Sequence, residues 1–249
     1  MFKTLQLELR QSYAFVARNF NLSKRYWGWE VVWLAYSIAN ALSVTFIGAG
    51  AGEITGESQI DTNFLITYLL IGTLVWRFLA SIFMNVSEMI AWERWEGTIE
   101  YTFMAPIRRF NQMLGQTIYA IIYSLIFTAI IGLVVAAFFD LSFHGADFGS
   151  ATVILLAGSL SFVGIGMVAS ILPLLYPERG AQMTNIVQAF FLLVSGVYYP
   201  ISVLPTWLQY LAHISPATYV LEGMRAALLP GTVDKAPMSY VWPLLLMGA

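Results

Sequence analysis

The stretch Ala91 to Pro106, AWERWEGTIEYTFMAP, decides how this chain is read. It carries Glu93, Arg94, Glu96 and Glu100 within eight positions, with long apolar stretches before and after it. A Glu or Arg at the centre of a bilayer costs roughly 2.5–3.5 kcal/mol, so four together cost about 10 kcal/mol or more. The segment therefore belongs in water, between two helices that cross a membrane.

The composition agrees. Of the 249 residues 59% are hydrophobic and only 10% charged, and mean hydropathy is +0.72. A soluble domain carries about 25% charged residues, so this chain could not cover a soluble surface. The fold class is all-α, a polytopic membrane protein with six transmembrane helices. A net charge of −2 gives no bulk attraction to nucleic acid. The absence of cysteine removes disulfides and thiolate chemistry. The first basic residue is not followed by the apolar run of a signal peptide.

Outward from the charged stretch, residues 1–26 are too polar to span. Phe2, Leu5, Leu9, Tyr13, Val16 and Phe20 fall on one helical face, with Lys3, Glu8, Arg10 and Arg18 off it. That pattern predicts an amphipathic helix lying in the headgroup plane or, on the other reading, packed on another protein domain. Trp27 and Trp29 follow at interface depth. Residues 27–197 hold five spans, predicted near 29–50, 63–86, 110–139, 150–172 and 181–197. The loops between them carry Glu53, Glu57 and Asp61, then Asp140, His144 and Asp147, then Pro173, Pro177, Glu178 and Arg179.

Residues 198–238 differ, with Pro200, Pro205, Pro216, Pro230 and Pro237. Two helical patterns lie between them, at 205–213 and 216–229, the second with Ser215 as N-cap and Pro216 at the first helical position. Each is too short to span, which predicts a re-entrant pair. A sixth span starts near Ser239 and is cut short at Ala249, so the natural chain is expected to run on. The whole reads as a single transmembrane domain, 1–249.

Lys and Arg orient it. Lys3, Arg10, Arg18, Lys24, Arg25, Arg94, Arg108, Arg109 and Arg179 lie on one side, against Arg225 and Lys235 on the other. The nine mark the cytoplasmic side, which places the charged stretch inside and the short helices outside.

Drawn as one helix, the charged stretch puts Trp92, Trp95, Ile99 and Phe103 on one face and Glu93, Glu96 and Glu100 on the next. This is either a plug, aromatic toward the spans and acidic toward a soluble partner, or a solvated loop with tryptophan anchors. Gly97-Thr98 could split it into two pieces. Arg77, inside the second span, either meets an anionic group on a path or snorkels from about 14 Å above the level of Val86. Asn185 and Gln188 either line that path or bond a neighbouring helix. Phe190, Phe191, Tyr198 and Tyr199 form an apolar outer gate or are plain packing. Glu222 and Arg225 brace the short helices or make a surface pair worth about 0–1 kcal/mol. His144 and His213 have no partner at ligand spacing, which argues against a metal site. Ala157/Ser161 and Gly166/Ser170 suit close helix packing.

These residues resemble a family. Glu93-Arg94, then Gly97-Thr98-Ile99-Glu100, then Ala105-Pro106 is similar to the cytoplasmic loop of ABC-2 type transporter permeases. Ser195-Gly196-Val197-Tyr198-Tyr199-Pro200, Leu204-Pro205 with Trp207-Leu208, and Ser215-Pro216 with Tyr219, Glu222 and Arg225 resemble that family's fifth-helix exit and external re-entrant helices. The resemblance implies a half-transporter that pairs with a second permease copy, as a homodimer or a similar heterodimer, and binds two copies of an ABC ATPase subunit. It implies that Glu93, Arg94, Glu96, Gly97, Thr98 and Glu100 belong to a coupling helix, and that the N-terminal helix is an interface helix. The second and fifth spans would line the dimer interface and the path. It also favours a bracing role for Pro216, Tyr219, Glu222 and Arg225. The sequence has no G-x-x-x-x-G-K-[ST] loop. No cofactor is therefore expected in this chain, with ATP and Mg on the ATPase subunit and no enzyme activity here.

The resulting expectation is the permease of an exporter in the cell membrane, moving a hydrophobic or amphiphilic drug or lipid. A lipid-linked polysaccharide or teichoic-acid exporter is the alternative. An intramembrane lipid-modifying enzyme would need clustered ionisable groups at membrane depth, and apart from Arg77 no ionisable residue lies deep in a span. A passive channel would need a filter motif that is absent.

Overall fold

In lipid, every backbone N–H and C=O must be satisfied within the chain, and a helix does this alone. Among the described residues the regular structure is accordingly helical throughout. The computed structural model describes residues 2–55, 61–139, 145–229 and 236–248. Met1, Glu57, Asp140, His144, Pro230, Lys235 and Ala249 lie outside the described residues.

The first half comprises α1 (Phe2–Arg25), α2 (Trp27–Thr55), α3 (Thr62–Ser87), α4 (Met89–Trp95), α5 (Ile99–Met104) and α6 (Arg109–Phe138). The second comprises α7 (Phe148–Ala169), α8 (Ile171–Leu175), α9 (Gly180–Val194), α10 (Thr206–Ile214), α11 (Pro216–Leu228) and α12 (Val241–Gly248). Four stretches are long and apolar enough to cross a membrane: Trp27–Ala51, Thr62–Ser87, Arg109–Phe138 and Phe148–Leu175. The shorter apolar α9 is a fifth candidate element. The chain is a polytopic membrane protein.

The bundle is organised on α3. Protein buries 72% of its apolar stretch, against 17% for those of α2 and α6, so α3 is central and the other two face outward. Asp61 starts it, its carboxylate accepting the Phe64 N–H at 3.1 Å. Phe78, Leu79, Ile82, Phe83 and Val86 of α3 pack with Ile154 and Phe162 of α7, Val220 and Leu221 of α11 and Leu244 of α12. A second cluster joins Ala41 of α2 to Leu70 of α3 and Ile131 and Val135 of α6. In α7, Ser161 Oγ donates to the Leu244 carbonyl at 2.6 Å, the close approach that the small residues anticipated.

With 30 residues, α6 is about 45 Å long. That exceeds a hydrocarbon core of about 30 Å, so roughly ten residues project beyond it. The projecting end is the N-terminal one, because Asn111, Gln112 and Gln116 there are buried against polar partners. α1 supplies most of them. Gln11 and Asn111 pair at 2.7 Å, Asn19 and Gln116 at 2.6 Å, and Ser23 and Tyr119 at 2.6 Å. α1 is thus held to protein by its polar side, while Leu9 and Tyr13 of its apolar stripe stay exposed. The helix packs by its polar side on α6 of its own domain and leaves an apolar face exposed.

Beyond α9 the chain turns back. The short helices α10 and α11 end within a residue of their predicted limits. One expectation is corrected. Ser215 occupies the N-cap of α11 but makes no side-chain capping bond; its hydroxyl instead shares a buried 2.8 Å hydrogen bond with Ser195, which pins the hairpin to the end of α9.

Candidate functional site

The charged stretch is two helices, not one. α4 stops at Gly97, whose φ of +69° is a left-handed conformation that side chains other than glycine's rarely adopt. Thr98 then starts α5, its N–H returning to the Glu93 carbonyl at 2.9 Å. The three glutamates therefore do not share a stripe, and they have three different surroundings.

Glu93 points inward and is 3% exposed. Its Oε1 accepts from Arg18 Nη2 of α1 at 3.0 Å and from Gln112 Nε2 of α6 at 3.1 Å. A carboxylate this buried is tolerable only because both bonds are made. Arg94 points the other way. It donates to the Pro173 carbonyl at 2.8 Å and the Leu174 carbonyl at 3.2 Å, the free C=O groups at the end of α8. One Glu-Arg dipeptide thus ties α4 to α1, α6 and α8.

Glu96 is half-buried and accepts a hydrogen bond from the Tyr26 hydroxyl, which pushes the Tyr26 phenol up. Glu100 is exposed. Beside it on α5, Tyr101, Phe103 and Met104 are 73%, 54% and 75% exposed. Arg109 holds this short helix by its end, donating to the Thr102 and Phe103 carbonyls at 3.1 Å each while its guanidinium covers the Phe103 ring at 4.1 Å. Trp92 and Trp95 are exposed too, edge to face at 5.5 Å. The expected polarity of the plug is reversed at Glu93: that acid is buried, and the aromatic residues are outward. The physical reason is that Arg18 and Gln112 offer a buried acid partners that periodicity cannot reveal.

Glu88, between α3 and α4, gave no signal in the sequence. Burial pushes its carboxyl up, and Thr184 Oγ1 of α9 donates to it at 3.4 Å.

The path candidates fall in two places. Arg77 lies with Glu30 of α2 and Tyr123 of α6. Asn185 and Gln188 are on α9, where Asn185 Nδ2 bonds the Ala181 carbonyl of its own helix at 3.0 Å. Phe190 is exposed, and Phe191 packs near Phe162 with ring centroids 6.1 Å apart. Tyr198 and Tyr199 are half-buried, the Tyr199 hydroxyl reaching the Leu193 carbonyl. The structure does not gather Arg77 and the α9 residues into one cluster.

At the opposite end of α3, Arg225 is 5% exposed. It donates to the Gly196 carbonyl at 3.0 Å and the Val197 carbonyl at 2.7 Å, and its guanidinium lies 3.7 Å over the Tyr68 ring. Glu222 is near Arg225 and accepts from the Tyr240 hydroxyl. Pro216 is buried at the start of α11, and the Tyr219 hydroxyl closes back on the His213 carbonyl at 2.8 Å. Gly72 of α3 permits the contact, since a Cβ there would stand 2.1 Å from the Val197 oxygen. Among the described residues no group of His, Asp or Glu could hold a metal ion.

No curated protein matches the chain. The family model described as ABC-2 type transporter matches residues 10–229, from α1 through the end of the α10–α11 hairpin. The chain belongs to that family and is the membrane permease of an ABC transporter.

Proposed function

We propose that this permease is one half of an ATP-driven exporter in the cell membrane, with its N-terminus, α4 and α5 in the cytoplasm and the α10–α11 hairpin outside. It pairs with a second permease copy and with two copies of a separate ABC ATPase subunit, which hold ATP and Mg. Its cargo is a hydrophobic or amphiphilic drug or lipid. No catalytic group is required in this chain.

The observation that carries the reading is the contrast within residues 93–104. Glu93 and Arg94 are bonded to three other helices, while Glu100, Tyr101, Phe103 and Met104 are presented on a helix fixed by Arg109. An apolar patch with an acidic edge, on a rigid base, suits a partner with an apolar groove and a basic rim. Closure of the ATPase dimer moves α5, and the clasps at Glu93 and Arg94 pass the displacement to α1, α6 and α8.

Co-purification with the cognate ATPase tests this. Tyr101→Asp with Met104→Asp alters two exposed side chains and should leave the permease folded. We expect at least a tenfold loss of ATPase association, about 1.4 kcal/mol or more. Association at wild-type strength would overturn the reading.

A further inference from the structure

Arg77 and Glu30 are opposite charges on the neighbouring helices α3 and α2 that form no ion pair. Arg77 is half-buried in α3, and its Nε is enclosed yet bonds nothing. Its guanidinium makes neither a hydrogen bond nor an ion pair with any described residue; the ion pairs found are Arg18–Glu93 and Arg108–Glu8. Glu30, half-buried in the first turn of α2, accepts the Tyr123 hydroxyl on Oε2 at 2.5 Å. Its Oε1 has no partner among the described residues. Ser81, one turn along α3 from Arg77, shares a 2.8 Å hydrogen bond with Ser124, next to Tyr123 on α6. This sets the Arg77 turn beside the Tyr123–Glu30 pair, and no ion pair forms between Arg77 and Glu30.

Their depth can be counted. Tyr123 is 14 residues into α6, about 21 Å from its start, of which about 15 Å projects below the core, leaving it about 6 Å inside. Glu30 is three residues into α2, about 4.5 Å. Arg77 starts about 15 Å above the end of α3, and its side chain can reach down toward them. The exposed Trp27, Trp29 and Trp33 of α2 lie alongside, where indoles mark an interface. Two groups with unused hydrogen-bonding capacity therefore sit just inside one leaflet, that of the α1 end.

We propose that Arg77 and Glu30 receive the headgroup of a zwitterionic phospholipid from that leaflet. The guanidinium fork takes the phosphate oxygens, for which its geometry is suited. Glu30 Oε1 takes the ammonium, and Tyr123 fixes the carboxylate. Charge complementarity selects this ligand: a purely anionic headgroup would satisfy Arg77 and be repelled by Glu30. The site is independent of any ATPase and needs only that the chain spans the bilayer.

Native mass spectrometry of the full-length permease, loaded with phosphatidylethanolamine or phosphatidylglycerol, tests it. The wild type should retain phosphatidylethanolamine in preference. Arg77→Gln should cut that retention roughly tenfold, with Arg77→Lys restoring part of it. Glu30→Gln should abolish the preference while retaining phosphatidylglycerol; this variant keeps Arg77 and carries the test if Arg77→Gln does not fold. Unchanged phosphatidylethanolamine retention in Arg77→Gln, or unchanged preference in Glu30→Gln, would overturn the proposal. Millimolar inorganic phosphate should not displace the lipid; displacement would mean a site for a soluble anion and would equally overturn it.

Discussion

The two ends of α3 solve the same problem differently. At one end Glu93 is a buried acid answered by side chains of two other helices, Arg18 and Gln112. At the other, Arg225 is a buried cation answered by backbone carbonyls and an aromatic ring. Carbonyls of Gly196 and Val197 cannot leave without unfolding the exit of α9, so the hairpin is closed on itself. The Glu93 clasp is made of side chains on three separate helices, and its neighbours on α5 remain exposed. On the proposed reading the first end transmits movement from outside the chain, whereas the second holds its own turn.

Removing each clasp separates the two. Arg225→Met should have the largest effect on stability, because it strips two carbonyls of charge-assisted bonds in a buried site. We expect a loss of about 3–5 kcal/mol, measured as thermal or denaturant unfolding in detergent. A loss below about 1 kcal/mol would mean the hairpin is held by its apolar face alone. Glu93→Gln should cost less, about 1–3 kcal/mol, since Arg18 is partly exposed and can be solvated. Its clearer effect should be on coupling: ATPase association retained, transport-linked stimulation lost. If stimulation survives, α1 and α6 take no part in transmission.

Glu88 gives the smallest effect. Burial holds its carboxyl above the usual range, so the charged form is the disfavoured one. Stability should therefore rise as pH falls through that raised value, and the penalty should be fully present above it. Glu88→Gln should flatten this dependence and slightly stabilise the protein at neutral pH. A pH profile identical to wild type would remove Glu88 from the account.

Much of this was legible in the sequence, for identifiable reasons. Hydropathy located the apolar helices, because spanning lipid imposes length and composition at once. Proline spacing located α10 and α11 within a residue, because Pro216 can start a helix but not continue one. The split at Gly97 was signalled by Gly-Thr. What could not be read was direction. Periodicity put Glu93, Glu96 and Glu100 on one face, but a positive φ at one glycine rotated α5 away from α4. The partners of Glu93, Arg94 and Arg225 are 75, 79 and 29 positions away, beyond any local pattern. Glu88 and Glu30 carry no local signal, because their partners Thr184 and Tyr123 stand on α9 and α6.

The most direct test of the central claim, that α5 is a cytoplasmic docking face, uses the absence of native cysteine. Tyr101→Cys is labelled with a membrane-impermeant maleimide, in intact cells and in permeabilised cells with and without the ATPase subunit. The account predicts no labelling from outside, labelling after permeabilisation, and protection when the ATPase is present. Labelling in intact cells, or labelling from inside that the ATPase does not slow, would contradict it.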